Sequence, residues 1–113
     1  MKIPPTAVIA AEKLTEYLLV PKSRNDKSKF LARAGFTQDN PDKLKSAIRI
    51  LSDEVEAIQD KMTEYGTSYR VEGDLVGEDG GKLAVVLVWF QCASDGRFYF
   101  VTLRPSKGVS GED

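Results

Sequence analysis

Residues 82–92, "KLAVVLVWFQC", constrain the fold more than any other stretch of this chain. The run is apolar on both faces, as a strand in the middle of a sheet is. Turn signals bound it on both sides. "GEDGG" (77–81) precedes it and "SDG" (94–96) follows it, and glycine supplies the positive φ that tight hairpins need. The neighbouring runs, "TSYRVEGDLV" (67–76) and "RFYFVTLRP" (97–105), are rich in β-formers, and Pro105 stops the second. The second half of the chain therefore reads as antiparallel strands joined by hairpins.

The first half has a different period. "AEKLTEYLLV", about residues 11–19, places Leu14, Leu18 and Tyr17 on one helical stripe, and Pro21 forbids continuation. "KSKFLARAG", about 27–34, groups Phe30, Leu31 and Ala34 on a face; Asn25 or Asp26 can cap it, and Gly35 suits the left-handed position past its end. Phe36 is expected to fold back onto the same core. "GFTQDNPDKLKSAIRIL" (35–51) writes out a third helix: Asn40 as N-cap, Pro41 at the first helical position, Asp42 against the dipole, and Leu44, Ala47, Ile48 and Leu51 at i, i+3, i+4, i+7. Lys43, Lys45 and Arg49 fall off that stripe, toward water. Residues 53–64, "DEVEAIQDKMTE", read two ways. Val55, Ile58 and Met62 continue the helical spacing from Leu51, and propensity favours helix, yet the alternation would also suit an edge strand. Helices first and antiparallel strands after imply an α+β fold of two layers, with helices on one face of the sheet.

At 113 residues the chain fits one domain, expected over 1–106, with 107–113 as a flexible tail. A chain of this length buries roughly 65% of its unfolded surface, enough for one modest core. No 18-residue apolar run is present, so no membrane-spanning helix is expected, and the N-terminus reads as uncleaved and cytoplasmic. Cys92 is the only cysteine, which excludes an internal disulfide; it reads as a small buried or half-buried hydrophobe. The absence of histidine removes imidazole as base, acid or ligand and argues against a metal or cofactor site. Net charge is −1, but residues 22–33 hold five cations against one acid, so a local positive patch is expected in a neutral chain.

The candidate site residues follow from these elements. If Tyr99, Val101 and Leu103 of the last strand face the helices, the pleat sends Phe98, Phe100, Thr102 and Arg104 to the other side. Aromatic rings beside cations on an uncovered sheet can hold single-stranded nucleic acid, whereas the C-terminal tail or a second subunit would cover the same rings in a purely structural role. Lys27 and Lys29 could hold phosphate at a helix start, or sit on a solvated connector. In "YGTSYR" (65–70), Gly66 allows a sharp reversal that brings Tyr65, Thr67 and Arg70 together, or simply makes a hairpin turn. Glu72, Asp74, Glu78 and Asp79 lack calcium-loop spacing and read as a solvated turn. No phosphate loop, nucleophile elbow or metal-ligand spacing is present.

The order "EKLTEYLL", "KSKFLARAGFTQDN", "EYGTSYRVEGDLVGEDGG", "VVLVWF" and "FVTLRP", about residues 8–105, resembles a family of uncharacterised bacterial domains. These occur as short stand-alone proteins and as C-terminal toxin segments, and the family is similar to the barnase, EndoU, colicin and RelE superfamily of RNase toxins. The resemblance implies two to three N-terminal helices packed on one face of a four-stranded antiparallel meander, with 56–63 as its first strand, paired across Tyr65 and Gly66 with 67–76. It implies RNA on the open sheet face, and catalytic positions at Lys29, Tyr65, Thr67 and Thr102. Where the family often has tyrosine this chain has Arg104.

The expected function is RNA binding, and metal-independent RNA cleavage, without a cofactor. Lys29 and Arg104 would neutralise the phosphate while Tyr65 or Thr102 orients an oxygen; Lys27, Arg70, Phe98 and Phe100 would add binding contacts. The alternative is a non-catalytic interaction module, part of a toxin–antitoxin-like pair, whose open face takes a cognate protein or a second copy.

Overall fold

The structure is a computed structural model, and it describes residues 1–10, 12, 14, 28–77 and 80–106, with 28 and 29 as backbone. The helix expected over 11–19 lies outside the described residues, except that Leu14 is buried in the core. The tail expected over 107–113 lies outside them as well.

Two helices are described. α1 spans Ser28–Ala32 and ends two residues before the stretch expected from its apolar face. It ends as the sequence predicts. Gly35 takes φ 90°, the Gly35 N–H donates to the Ala32 carbonyl and the Phe36 N–H to the Leu31 carbonyl. This paired closure satisfies carbonyls the last turn would leave bare, and it turns Phe36 back into the core. α2 spans Pro41–Glu54 and buries Leu44, Ala47, Ile48, Leu51 and Ser52. Asn40 precedes it, but not as a side-chain cap. Its Oδ1 accepts from the Thr37 N–H at 2.8 Å and its Nδ2 donates to the Gly35 carbonyl at 3.0 Å, so the amide braces the loop between the helices.

The sheet has four strands in the order β1-β2-β3-β4: β1 Ile58–Thr63, β2 Gly66–Val76, β3 Lys82–Cys92 and β4 Phe98–Pro105. All neighbours are antiparallel, so the meander stands. The ambiguous 53–64 region divides: its first two residues finish α2, Val55 is extended, and β1 begins at Ile58. Ile58 and Met62 are exposed, which a helix burying the Leu51 stripe would not allow. β1 carries Asp60 and Lys61 with every residue exposed, as suits a sheet edge that must not recruit another strand.

The helical layer covers one side. Val71 and Leu75 of β2, Leu83, Val85, Leu87 and Trp89 of β3, and Phe98, Phe100 and Leu103 of β4 join the helix residues in one core. Residues 1–10 complete that layer as a strap, which no sequence signal announced. The Met1 carbonyl accepts from the Ala57 N–H near the start of β1; Ile3, Ala7 and Ile9 enter the core; Val8 then makes a parallel bridge to Tyr99 at the outer edge of β4.

Candidate functional site on the open sheet face

The pleat expected for β4 is corrected by a bulge. Val88 pairs with Thr102 but Trp89 pairs with Phe100, so Val101 is an extra residue with no partner. Its apolar side chains sit at mixed parity, Phe98 and Phe100 even, Leu103 odd. Without an inserted residue, one set would have to face water. Burying each of these side chains contributes roughly 2 kcal/mol, against about 1 kcal/mol for a lost ladder hydrogen bond, so the bulge wins. Phe98 and Phe100 therefore lie in the core at 8% and 3% exposure, and cannot form the surface rings expected of them. Trp89 meets Phe100 edge-on at 5.4 Å, and Tyr69 tilts against Phe98 at 5.5 Å.

The register fixes what stands on the other face, which no element covers among the described residues. Three cross-strand rows define it. Asp74 beside Ala84, then Glu72–Val86–Arg104, occupy the end near the β2–β3 turn. Arg70–Val88–Thr102 crosses the middle. Ser68–Phe90–Tyr99 lies toward the β1–β2 turn, with Lys61 beside Ser68. Val86 is buried between its neighbours; Val88, Phe90, Tyr99 and Thr102 are half-buried; Arg104 is exposed.

Arg70 and Arg104 thus do share one face with Thr102. Arg70 and Thr102 are two strands apart, roughly 10 Å between Cα atoms, and Arg104 is one pleat repeat beyond Thr102, roughly 6.5 Å. Arg70 is poorly neutralised: its Nη1 stands 4.0 Å from Asp60 Oδ1, and its buried Nε has no hydrogen-bond partner. Arg104 makes no ion pair among the described residues.

The remaining expected residues lie elsewhere. Tyr65, 73% exposed, sits in the β1–β2 turn. Thr67 alternates with Tyr69 and Val71 and so points to the helical side. Lys29 belongs to α1, whose end packs against the far end of β2: a Cβ on Gly77 would collide with Ala34. β2 is 11 residues long, roughly 33 Å, so Lys29 and Tyr65 stand on the order of 20 Å apart and in different layers. Lys27 lies outside the described residues.

Sequence reasoning missed Phe90 and Tyr99 as the rings of this face. The alternation Leu83, Val85, Leu87, Trp89 could have singled out Phe90, but the run is apolar at its even positions too. The pleat of β4 predicts Tyr99 inside, because a bulge leaves no mark in composition. Its hydroxyl donates to Asp95 Oδ2 at 2.9 Å, and this bond to a carboxylate raises the phenol above its ordinary value, keeping it protonated. Asp95 moves the opposite way: the Arg97 N–H and then the Tyr99 hydroxyl hold its carboxyl below the ordinary range. At the same end Cys92 is half-buried, with Sγ 3.1 Å from the Ser94 hydroxyl, which lowers the thiol. Among the described residues no group of three or more Asp, Glu or Cys could hold a metal ion, and no helix is long and apolar enough to cross a membrane.

The fold is shared with known proteins. The chain is similar to one chain of a solved contact-dependent growth inhibition toxin–immunity protein complex from Klebsiella pneumoniae 342, at 20% identity and a TM-score of 0.70, covering 91% of this chain and 96% of that one. No curated protein matches it. The profile of DUF6883, a domain of unknown function, matches residues 4–107, nearly the whole chain. The chain therefore belongs to the DUF6883 family.

Proposed function

We propose that this is a toxin-like domain whose open sheet face binds RNA. One observation carries the reading: Arg70 and Arg104, neither firmly paired, flank the Thr102 hydroxyl on an uncovered face that also presents Phe90 and Tyr99. Guanidinium groups hold phosphates, and the rings one pleat repeat away offer bases a stacking surface. Tyr65, exposed at the same end, extends that surface. The fold likeness to a chain of a toxin–immunity complex is consistent with this class of protein. Metal-independent cleavage would use the same face, with Arg70 and Arg104 neutralising the phosphate and Thr102 orienting the attacking or leaving oxygen. Lys29 and Thr67 stand apart from that phosphate position, so the reading rests on three residues where the sequence suggested more.

The test is binding of labelled tRNA by fluorescence anisotropy, with cleavage followed on gels in the presence of a chelator. The variant Arg70→Ala with Arg104→Ala should bind at least tenfold more weakly, with a salt dependence shallower by about 1.4 in the log–log slope. Lys43→Ala, on the helical layer, should bind as the parent does. Equal affinity in all three proteins removes the reading. Cleavage that survives Thr102→Ala with Arg104→Ala removes its catalytic part.

A second reading has its own support. Cations and acids alternate on this face, with Arg70 near Asp60 and Arg104 in one row with Glu72, around the apolar Val86 and Val88. Interleaved charge around an apolar centre suits a protein partner better than a polyanion. The solved relative is itself part of a toxin–immunity protein complex. Capture of a single neighbouring-gene product, lost on Val88→Asp and insensitive to nuclease, would favour this reading over RNA.

A further inference from the structure

The open face is patterned along its strands as well as across them. Down β3, the central strand with β2, Ala84, Val86, Val88 and Phe90 form an apolar column about 20 Å long. Charge changes sign beside it along β2. Asp74 and Glu72 are acids, and Arg70 in the next row is a cation. Glu72 is exposed and makes no ion pair among the described residues, and Arg70 is only loosely held by Asp60 at 4.0 Å. An anion and a cation one pleat repeat apart on one strand, beside two valines in the same two rows, form a patch that can complement itself. A two-fold dimer needs that property, because in it residue i meets residue j of the other copy and j meets i.

The rows select one arrangement. A second copy is turned over about an axis that crosses the strands midway between the Glu72–Val86–Arg104 row and the Arg70–Val88–Thr102 row. Each strand then faces itself running the other way. Glu72 meets the partner's Arg70 and Arg70 meets the partner's Glu72, while Val86 and Val88 meet each other in both directions. One row further out, small Ala84 faces the partner's larger Phe90. An axis lying on the Arg70 row would set arginine against arginine, and one on the Glu72 row glutamate against glutamate. An axis along the strands would press Arg70 onto the partner's Val88. Stacked sheets cross at roughly 30°, so the two rows nearest the axis hold the contact and outer rows diverge. Four strands at about 4.8 Å and seven residues at about 3.4 Å give a footprint of roughly 450 Å² per copy. That is below the roughly 800 Å² per partner of a standard interface, so an exchanging dimer with a Kd of about 10–100 µM is expected.

We propose that the open face closes on a second copy of this chain, face to face about this axis, with reciprocal Glu72–Arg70 pairs around the Val86–Val88 contacts. The inference rests on the protein-partner reading of this face and names the partner. It also bears on the RNA reading, because the dimer covers Arg70 and Arg104 and so competes with any RNA there.

The test is sedimentation velocity of the full chain from about 5 to 500 µM, a range that brackets the expected Kd. No nucleic acid or other protein is present, so the outcome is independent of RNA binding and of any cognate protein. The parent should show a reversible monomer–dimer equilibrium. Arg70→Glu and Glu72→Arg should each weaken it at least tenfold, because each sets like charges across both pairs. An equimolar mixture of the two variants should restore the dimer, since in the mixed pair every acid again faces a cation. Loss of folding cannot produce that rescue. Glu72→Arg alters an exposed side chain, so its result stands even if Arg70→Glu, beside Asp60, loosens β1. A parent that stays monomeric to the top concentration overturns the proposal. Single variants that dimerise as the parent does, or a mixture that stays monomeric, overturn the two-fold arrangement.

Discussion

The two sides of this sheet are built from the same strands and obey different rules. On the helical side, Val71, Leu75, Val85, Leu87, Trp89 and Leu103 are at most 1% exposed, and the strap and α2 seal them. On the other side, the alternate residues of the same strands include Arg70, Glu72, Asp74, Thr102 and Arg104. Alternation alone separates the two sets over most of β2 and β3; in β4 an extra residue is needed to keep them apart. The sealed side dictates the bulge: a ladder bond is given up so that Phe98 and Phe100 join Leu103 inside, while Thr102 and Arg104, beyond the bulge, keep their rows with Arg70 and Glu72 on the open side.

Removing the bulge should have the largest effect. Deleting Val101 forces β4 into one parity, so either the Phe98–Phe100 pair or Leu103 turns to water and polar residues turn in. A loss of roughly 4 kcal/mol is expected from the two phenylalanines alone, measured by urea unfolding. A deletion variant as stable as the parent would show that the two faces are not set by the bulge. Next is a contrast within β3. Leu87→Ala, at 0% exposure on the sealed side, should cost roughly 2–5 kcal/mol. Val88→Ala, its neighbour on the open side, should cost under about 1.5 kcal/mol. Equal losses would mean that the open face is covered. Smaller still is the effect of Arg70→Ala with Arg104→Ala on stability, expected within about 1 kcal/mol in total, in contrast to the loss of RNA binding described above.

Most of the scaffold was legible because each element carries its own punctuation. Gly35 closes α1, Pro41 opens α2, and the glycines at 77–81 and 94–96 mark the hairpins on either side of β3. The strand at 58–63 was not legible from its residues, since its exposed edge places Ile58 and Met62 at a helical spacing; it came from the resemblance to a family. The strap was missed because Ile3, Ala7 and Ile9 are scattered among prolines and show no period. The site was half legible. Thr102 and Arg104 share a face, as the strand pattern suggests, and Arg70, which the sequence groups with Tyr65 and Thr67, stands there too, but Phe98 and Phe100 turn to the other side. A single inserted residue reverses every assignment upstream of it, and hydrophobic patterning carries that information only when the partner strand's register is known.

The smallest expected effect concerns the turn that holds the aromatic end of the open face. Asp95 Oδ1 accepts the Arg97 N–H at 2.9 Å and Oδ2 accepts the Tyr99 hydroxyl at 2.9 Å, so one carboxylate fixes both the β3–β4 turn and the ring that faces outward. Both bonds favour the ionised form and hold the carboxyl below its ordinary value of 3.8. A carboxyl that is more acidic folded than unfolded stabilises the native state fully above the unfolded value, and that contribution is lost as pH falls through the folded one. The parent should therefore lose a small part of its stability below about pH 4 that Asp95→Asn, lacking the titrating group, never gains. The Tyr99 ring resonances should move in the same pH range, because protonated Asp95 is a weaker acceptor for the phenol. Tyr99 resonances that stay fixed while the Asp95 carboxyl titrates would mean that the ring is held by packing against Phe90 and the strap, and that the two faces are coupled through the β4 edge, not through the turn.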